Sequence, residues 1–459
     1  MKTRTKKLLI TSILLVSLIV ILAWFSGFRV GHTRFLISYF SGPPELSAEE
    51  TEELHKWLRE KSVHLKTVAA GSGFDDMQPL KAMISDARIV ALGEAEHMNG
   101  DFYRVKHRMV ELLVNEMGFT VFAMEAPFAD VLEVNDYVLN GKGTAEKALA
   151  ALRYRAWRTE CILEMIKWMR QYNATHENKI RFYGFDDKPA TSLAKAVYDY
   201  LKETNGTEDY NKLLSWFMEN RLTWEKPNKE LPGTVVHTKE LIAHLESQQP
   251  AYERPYSQKE VQDQKEWSLA LQHARVLLQN VEYFTAPSRS EAVDLRDKHM
   301  ADNVRWLMDY EKGAKMILWA ANPHVNATPF SGCMGAHLRR TYGKDMVVFG
   351  LMCNRKSDAL SPDSTDQGYG APKGSVEALL TEAGLDMAVI NLRSLPKGAV
   401  SKYFNAPRKT GPITNLLPWA YDAILFLEST TSARPVGTGI PAGTTEKAPV
   451  VPAEIIPGP

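Results

Sequence analysis

Residues 87–97 read ARIVALGEAEH, a short apolar run that ends in a glycine, two glutamates and a histidine. Similar apolar runs recur along the chain, at Thr120–Met124, Ile180–Gly184, Lys315–Ala320 and Met346–Met352. Stretches with helical spacing lie between the first three runs, such as Gly100–Glu116 and Thr159–Tyr172. Strands that alternate with helices are typical of a parallel sheet covered on both faces. We therefore predict an α/β fold with a mostly parallel sheet flanked by helices. Two further apolar runs, Met387–Leu392 and Ala423–Leu427, are predicted to extend this sheet.

The first 28 residues differ from this pattern. Lysines and an arginine within residues 2–7 precede an uncharged apolar run from Leu8 to Phe25. A run of this length reaches the lower limit for crossing a bilayer, and no small-residue cleavage site follows it. We predict that residues 1–28 form a signal anchor, a single transmembrane helix, with a cleaved signal peptide as the alternative. The positive-inside rule then places the catalytic body on the extracytoplasmic side of the cytoplasmic membrane.

Changes in composition divide the remaining chain. Residues 29–46 predict a linker, and residues 47–428 predict the α/β domain. Within that domain, residues 190–310 have helical spacing without any strand pattern, so we predict a helical insertion there. Residues 429–459 are rich in proline, glycine, threonine and alanine, a composition that predicts a disordered tail.

Charge and cysteine content exclude some classes of function. The 459-residue chain has 55 basic and 55 acidic residues, so it has no overall basic surplus that would attract nucleic acid. We expect no nucleic-acid partner. The three cysteines, Cys161, Cys333 and Cys353, are far apart and form no CxxC pair. The sequence therefore indicates neither a structural zinc site nor a disulfide framework.

Carboxylate, amide and imidazole side chains follow four of the predicted strands. Glu94 and His97 follow the first run, Glu125 the second, Asp186 the third, and Asn322 and His324 the fourth. Because the carboxyl ends of parallel strands meet at one edge of a sheet, where ligands bind, these side chains predict a shared site.

General acid–base chemistry suits these residue types. A histidine can take a proton from water when a carboxylate fixes its tautomer. We predict His97 as the base, oriented by Glu94 or Glu125, with His324 donating to the oxyanion or to the leaving alcohol. Lys106, Asp186 and Asn322 are predicted to bind substrate at the same edge.

Other chemistries have less support in the sequence. GxSxG, HExxH and GxxxxGK[ST] motifs are all absent. A metal site is the alternative, since mixed nitrogen and oxygen ligands suit zinc or manganese. Its candidate ligands are His97, Glu94, Glu125, Asp186 and His324. Their spacing matches no known ligand pattern, so we predict no cofactor and keep a divalent metal as an alternative.

Several blocks of sequence together resemble the erythromycin esterase family. Gly93–His97 (GEAEH) resembles the family's GExxH signature. Later blocks fit in order, at Gly118–Phe128 (GFTVFAMEAPF), Val134–Gly141 (VNDYVLNG), Arg181–Asp186 (RFYGFD), Asp297–Leu307 (DKHMADNVRWL), Ile317–Val325 (ILWAANPHV) and Met334–Gly343 (MGAHLRRTYG). The resemblance implies that His97 activates water to open a macrolide lactone, as in a response to antibiotic. It also implies that Glu94, Glu125 and His324 line the same cleft.

Three positions depart from the family pattern. Met98 replaces the usual glycine after the signature histidine, Ala321 replaces the first of two histidines, and Lys106 replaces an arginine. Three hypotheses follow. The first is a metal-independent hydrolase of a hydrophobic ester or lactone, the second a metal-dependent hydrolase at the same edge, and the third a non-catalytic envelope protein that binds a ligand.

Overall fold

A computed structural model describes most of the chain. The described residues are 45–204, 206, 209–220, 222, 231–251, 257–329, 331–357, 370–410 and 413–437. The predicted signal anchor (1–28), nearly all of the predicted linker (29–46) and residues 438–459 of the predicted tail lie outside these ranges. Among the described helices, none is both long and apolar enough to span a membrane.

An eight-stranded mixed sheet forms the centre of the molecule, with the strand order β1-β7-β10-β6-β2-β5-β3-β4. The strands are β1 (Val63–His64), β2 (Ile89–Leu92), β3 (Val121–Pro127), β4 (Arg181–Asp186), β5 (Met316–Trp319), β6 (Met346–Ser357), β7 (Met387–Asn391), β8 (Arg408–Thr410), β9 (Ile413–Asn415) and β10 (Ala423–Thr431). The six strands from β10 to β4 in this order are parallel, whereas β7 is antiparallel to both of its neighbours. Strands β8 and β9 form a separate antiparallel pair.

The α/β prediction with a mostly parallel sheet is confirmed, and each predicted strand overlaps an observed one. Apolar runs could be recognised because both faces of the sheet are covered. Along β2, Ile89 and Ala91 pack into one core, while Val90 and Leu92 pack into the other. Successive side chains of a strand point to opposite faces of the sheet. A strand buried on both faces therefore needs an apolar residue at every position.

Helices cover both faces of this sheet. They are α1 (Ala48–Lys61), α2 (Gln78–Ile84), α3 (Gly100–Met117), α4 (Val131–Asn140), α5 (Ala145–Ala151), α6 (Glu160–Thr175), α7 (Ala190–Glu203), α8 (Asn211–Glu219), α9 (Leu231–Ser247), α10 (Gln258–Thr285), α11 (Arg289–Tyr310), α12 (Asn322–Val325), α13 (Met334–Tyr342), α14 (Val376–Glu382), α15 (Ala399–Phe404) and α16 (Leu417–Ala420). Helix α1 begins with a reciprocal capping box between Ser47 and Glu50, which satisfies two main-chain N–H groups.

Helices α7 to α11 lie between β4 and β5, in the stretch where the sequence predicts a helical insertion. No strand occurs among the described residues between Asp186 and Met316. The last of these helices, α11, packs against β4 and α13 and so reaches the carboxyl edge of the sheet.

The predicted start of a disordered tail at residue 429 is wrong, because β10 continues to Thr431 and the chain remains placed to residue 437. Backbone hydrogen bonds attach the residues after β10 to the rest of the protein. Ala433 N–H donates to the carbonyl of Met98 at 2.7 Å, and Thr159 and Pro435 form a β-bridge. We call residues 430–436 the C-terminal strap.

Candidate active site

The end of β2 is shaped by Gly93. A Cβ atom there would overlap Oδ1 of Asn322. That Oδ1 accepts a hydrogen bond from Leu351 N–H at 3.1 Å, and the Asn322 amide group donates to the Leu351 carbonyl at 2.7 Å. The Asn322 side chain thus bonds to the main chain of β6, and glycine leaves room for it. Immediately after this contact the chain turns Glu94 into the protein interior.

Glu94 is a fully buried carboxylate with a basic partner on each oxygen. Its Oε1 lies 2.6 Å from Nδ1 of His97, and its Oε2 accepts from Nζ of Lys106 at 2.8 Å. Lys106 is also fully buried, with its ammonium 3.9 Å from the ring centroid of Trp319. Burial lowers the pKa of Lys106 to about 8, against the opposing effect of Glu94. Because a buried charge requires a partner, Lys106 acts as the counter-charge of Glu94.

His97 is the member of this group that reaches solvent, with 41% of its side chain exposed. Glu94 can only accept, so Nδ1 carries the proton and Nε2 holds the lone pair of the neutral ring. Within the described chain, His97 has no hydrogen bond beyond the one to Glu94. Burial lowers the pKa of His97, but the hydrogen bond and charge of Glu94 outweigh it and raise this pKa above 6.5. The Trp157 ring stands edge-on to the imidazole, 5.0 Å between centroids.

Arg296 organises a second buried group. Its Nε and Nη2 donate to the two oxygens of Asp186 at 2.9 and 2.8 Å, and Nη2 also donates to Oε1 of Glu125 at 3.0 Å. Tyr154 donates its hydroxyl to Asp186 at 3.0 Å. Burial raises the pKa of Asp186, but Arg296 outweighs it and holds this pKa below its ordinary value. The planar guanidinium therefore fixes both carboxylates at the ends of β3 and β4.

His324 completes this second group. Its Nδ1 lies 2.8 Å from Oδ1 of Asp297, and its Nε2 lies 3.2 Å from Glu125 Oε1 and 3.0 Å from Arg296 Nη1. With a proton Nε2 donates to Glu125, and without one it accepts from Arg296. Burial favours the neutral ring, but Asp297 and Glu125 outweigh burial and raise the pKa of His324 to about 10. The two acidic neighbours therefore favour the imidazolium form, in which Nε2 donates to Glu125.

Glu125 joins the two groups. Its Oε2 accepts from the N–H of Ala321 at 3.0 Å, and its carbonyl accepts from the indole N–H of Trp157 at 2.9 Å. Burial raises the pKa of Glu125, but the charges of His324 and Arg296 outweigh burial and hold this pKa well below its ordinary value. The charge of Glu125 in turn contributes to the raised pKa of His97. The two groups thus form one electrostatic unit.

No metal-binding arrangement is present in the described part of the chain, where no group of three or more His, Cys, Asp or Glu side chains is suitably placed. The buried carboxylates contact basic side chains instead. Glu94 contacts Lys106, while Asp186 and Glu125 share Arg296.

Comparison with known proteins assigns the chain to a family. The sequence model of the erythromycin esterases matches residues 114–430. The chain belongs to the erythromycin esterase family. Family membership identifies it as a hydrolase. The matched stretch includes Glu125, Asp186, Arg296 and His324.

Relatives of this esterase-family protein are distant in sequence. It is 23% identical to erythromycin esterase type II of Escherichia coli, over 74% of this chain and 89% of the relative. The crystal structure of a Bacillus cereus protein has a TM-score of 0.73 at 24% identity, covering 86% of this chain and 100% of that chain. An erythromycin esterase mutant in its open conformation has a TM-score of 0.60 at 16% identity, covering 80% and 96%. The two structural likenesses show the fold.

Four residues that the sequence predicts as catalytic lie at one edge of the sheet in this esterase-family protein. His97 and Glu94 are in direct contact, as are Glu125 and His324. The predicted substrate-binding residues have different surroundings from those expected. Lys106 and Asp186 are fully buried and bonded to Glu94 and Arg296, and Asn322 is bonded to β6. Their polar groups bond to the protein itself, and a direct contact of these residues with substrate stays a prediction.

Arg296 was not predicted as a site residue, and Asp297 was identified only as the first residue of a family block. Both belong to α11 in the helical insertion, so neither follows a strand. A signal existed, because the block DKHMADNVRWL begins at Asp297 and follows Arg296 directly. Tyr154 and Trp157, which contact the site from the loop before α6, were not predicted either.

Proposed function

We propose that this protein hydrolyses a carboxylic ester or lactone of a hydrophobic small molecule, with His97 as the general base. The supporting observation is the 2.6 Å contact between Glu94 Oε1 and His97 Nδ1, on a histidine whose side chain is 41% exposed. A carboxylate on Nδ1 fixes the tautomer with its lone pair on Nε2 and stabilises the imidazolium that proton transfer creates. Nε2 is therefore available to a water molecule.

The reaction consumes one water. His97 Nε2 takes a proton from that water as its oxygen attacks the carbonyl carbon, and negative charge develops on the carbonyl oxygen. The positive charges of Arg296 and the His324 imidazolium stabilise that charge electrostatically, while their N–H groups stay bonded to Asp186, Glu125 and Asp297. When the bond to the leaving oxygen breaks, the His97 imidazolium returns its proton to that oxygen. A carboxylic acid and an alcohol result.

Macrolide lactones are the first substrates to test, because a relative is named erythromycin esterase type II. Inactivation of a macrolide would then be the cellular role. Met98 and Ala321 stand where the family resemblance implies a glycine and a histidine, which favours testing other lactones and esters beside macrolides. The apolar run within residues 1–28 supports an extracytoplasmic location, tethered to the membrane.

The test is turnover of a panel of nitrophenyl esters, simple lactones and macrolides by the full chain and its His97→Ala variant. We expect His97→Ala to lower kcat/KM by at least about 100-fold, the lower range for loss of a general base. His237→Ala, which changes an exposed histidine on α9, serves as the matched control. Thermal unfolding of both variants should match the wild type. Undiminished turnover by His97→Ala would refute the assignment.

Two further arms of this experiment separate the other hypotheses. We expect turnover to survive prolonged chelation, whereas loss of activity that one added metal restores would establish a metal-dependent hydrolase. Saturable binding of a panel member without any turnover would instead indicate a non-catalytic binding protein.

A further inference from the structure

Met98, directly after the proposed base, has an unusual backbone conformation. Its φ angle is 62°, in the left-handed region that side chains with a Cβ disfavour. A methionine remains in this region only when surrounding contacts outweigh the steric cost. Met98 has two such contacts, since its N–H donates to the Tyr103 hydroxyl at 2.9 Å and its carbonyl accepts from Ala433 N–H at 2.7 Å.

The second of these contacts comes from the C-terminal strap. Two side chains within three residues of Met98 also bond to the strap. Asn99 donates to the Thr430 hydroxyl at 2.8 Å, and Asp101 accepts from both the N–H and the hydroxyl of Thr431 at 2.7 Å. The strap passes so close that a Cβ added at Gly100 would lie 3.2–3.3 Å from its backbone.

The strap also bonds to the loop that carries Trp157, at the start of α6. Glu160 N–H donates to the Arg434 carbonyl at 2.9 Å, and Val436 N–H donates to the Arg158 carbonyl at 3.0 Å. Trp157, which stands edge-on to His97, directly precedes Arg158. One short segment thus bonds both to the loop that follows His97 and to the loop that carries Trp157.

We propose that the C-terminal strap positions His97 for proton transfer by holding Met98 in its left-handed conformation. This inference rests on the proposed function of His97 as base. It assigns Thr431 and Ala433 as positioning residues, although neither side chain contacts His97. The strap also explains how a methionine can hold a conformation that glycine adopts without steric cost.

The first test weakens the strap at two points. Ala433→Pro removes the N–H that bonds to Met98, and Thr431→Val removes a hydroxyl bond to Asp101 while keeping the shape of the side chain. Since the conformation is disfavoured for a methionine, we expect Ala433→Pro to lower kcat by about five- to thirtyfold, with little change in KM. Thr431→Val should lower kcat severalfold in a protein that folds normally. Ser429→Ala, at an exposed position on the same strand, is the matched control.

The second test asks whether glycine compensates for the weakened strap. We expect Met98→Gly to restore most of the lost kcat in the Thr431→Val background, because glycine keeps the left-handed conformation without the strap. Strictly additive effects of the two substitutions, or wild-type kcat in Thr431→Val, would overturn the proposal.

A third readout does not depend on turnover. Titration of the His97 imidazole by NMR with labelled histidine should show its pKa falling towards 6.5 in Thr431→Val, since a displaced ring loses its contact with Glu94. An unchanged His97 titration would contradict the strap's role even if His97 proved not to be the base. Full turnover by His97→Ala would refute the base assignment alone.

Discussion

At the scale of single residues, the counter-charge of Glu94 is a lysine, which can lose its proton. Burial lowers the pKa of Lys106 to about 8, while Glu94 raises the pKa of His97 above 6.5. His97 must be neutral to accept a proton, whereas Lys106 must be charged to neutralise Glu94. Protonation of His97 therefore limits activity at low pH, and deprotonation of Lys106 limits activity at high pH.

We therefore expect a bell-shaped dependence of kcat/KM on pH, with an acidic limb above pH 6.5 and an alkaline limb near pH 8. Lys106→Arg should move the alkaline limb beyond the accessible range, because a guanidinium keeps its proton. Lys195→Arg, in an exposed pair with Asp199, is the control and should leave both limbs in place. The measurement is kcat/KM over about pH 6 to 10. An alkaline limb that persists in Lys106→Arg would show that another group causes it.

At the scale of elements, α11 joins the helical insertion to the edge of the sheet. Its neighbouring residues Arg296 and Asp297 point about 100° apart around the helix axis. Arg296 bonds to Asp186 and Glu125, and Asp297 bonds to His324 and to Met334 N–H at the start of α13. Because of these contacts, α11 both supplies the site and holds the insertion in place.

Loss of Arg296 should therefore affect stability and catalysis together. Arg296→Met removes the guanidinium that two buried carboxylates share, so we expect the free energy of unfolding to fall by about 3–5 kcal/mol. Arg296→Lys keeps the charge but not the two-pronged geometry, and should lower kcat/KM by at least tenfold, or about 1.4 kcal/mol. Lys298→Met, which breaks an exposed pair with Asp302 on the same helix, should cost less than about 1 kcal/mol. Denaturant unfolding measures the free energies, and steady-state kinetics measures kcat/KM. Equal losses of unfolding free energy in Arg296→Met and Lys298→Met would argue against a structural role for Arg296.

The elements also show what the sequence could reveal. Runs such as 87–92 identify strands because burial on both faces leaves them almost wholly apolar. Strand β1 has two residues and offers no such run. The reversed direction of β7 depends on tertiary pairing with β10, which no local pattern records. Side chains after strands were predictable from topology, whereas Arg296 reaches the site from a helix and required the packing of α11 against β4 to be known.

For the molecule as a whole, protonation of His324 makes the free energy of unfolding depend on pH. The pKa of His324 is about 10 in the folded protein, against an ordinary value of 6.5. Because the folded state holds this proton more tightly, the contribution is complete below pH 6.5 and is lost as the pH rises through about 10. Lys106 acts in the opposite direction at alkaline pH, because its folded pKa lies below its ordinary value.

A difference measurement isolates the effect of His324. We expect the free energy of unfolding of the wild type to exceed that of His324→Gln by an amount that shrinks between pH 6.5 and about 10. His237→Gln, at an exposed histidine, should give a curve parallel to the wild type. Parallel curves for His324→Gln, measured by denaturant unfolding, would mean that His324 holds no extra proton in the folded state.

The position of β10 has a consequence for biosynthesis. This strand comes last among the described strands, yet it lies inside the sheet between β6 and β7. While the ribosome is still translating it, β6 and β7 lack their shared neighbour and expose unpaired edges, which favour aggregation. The loop after His97 also lacks the bond from Ala433 until then. Until the strap has been translated, we therefore expect the nascent chain to expose these edges and to lack the contact that holds Met98.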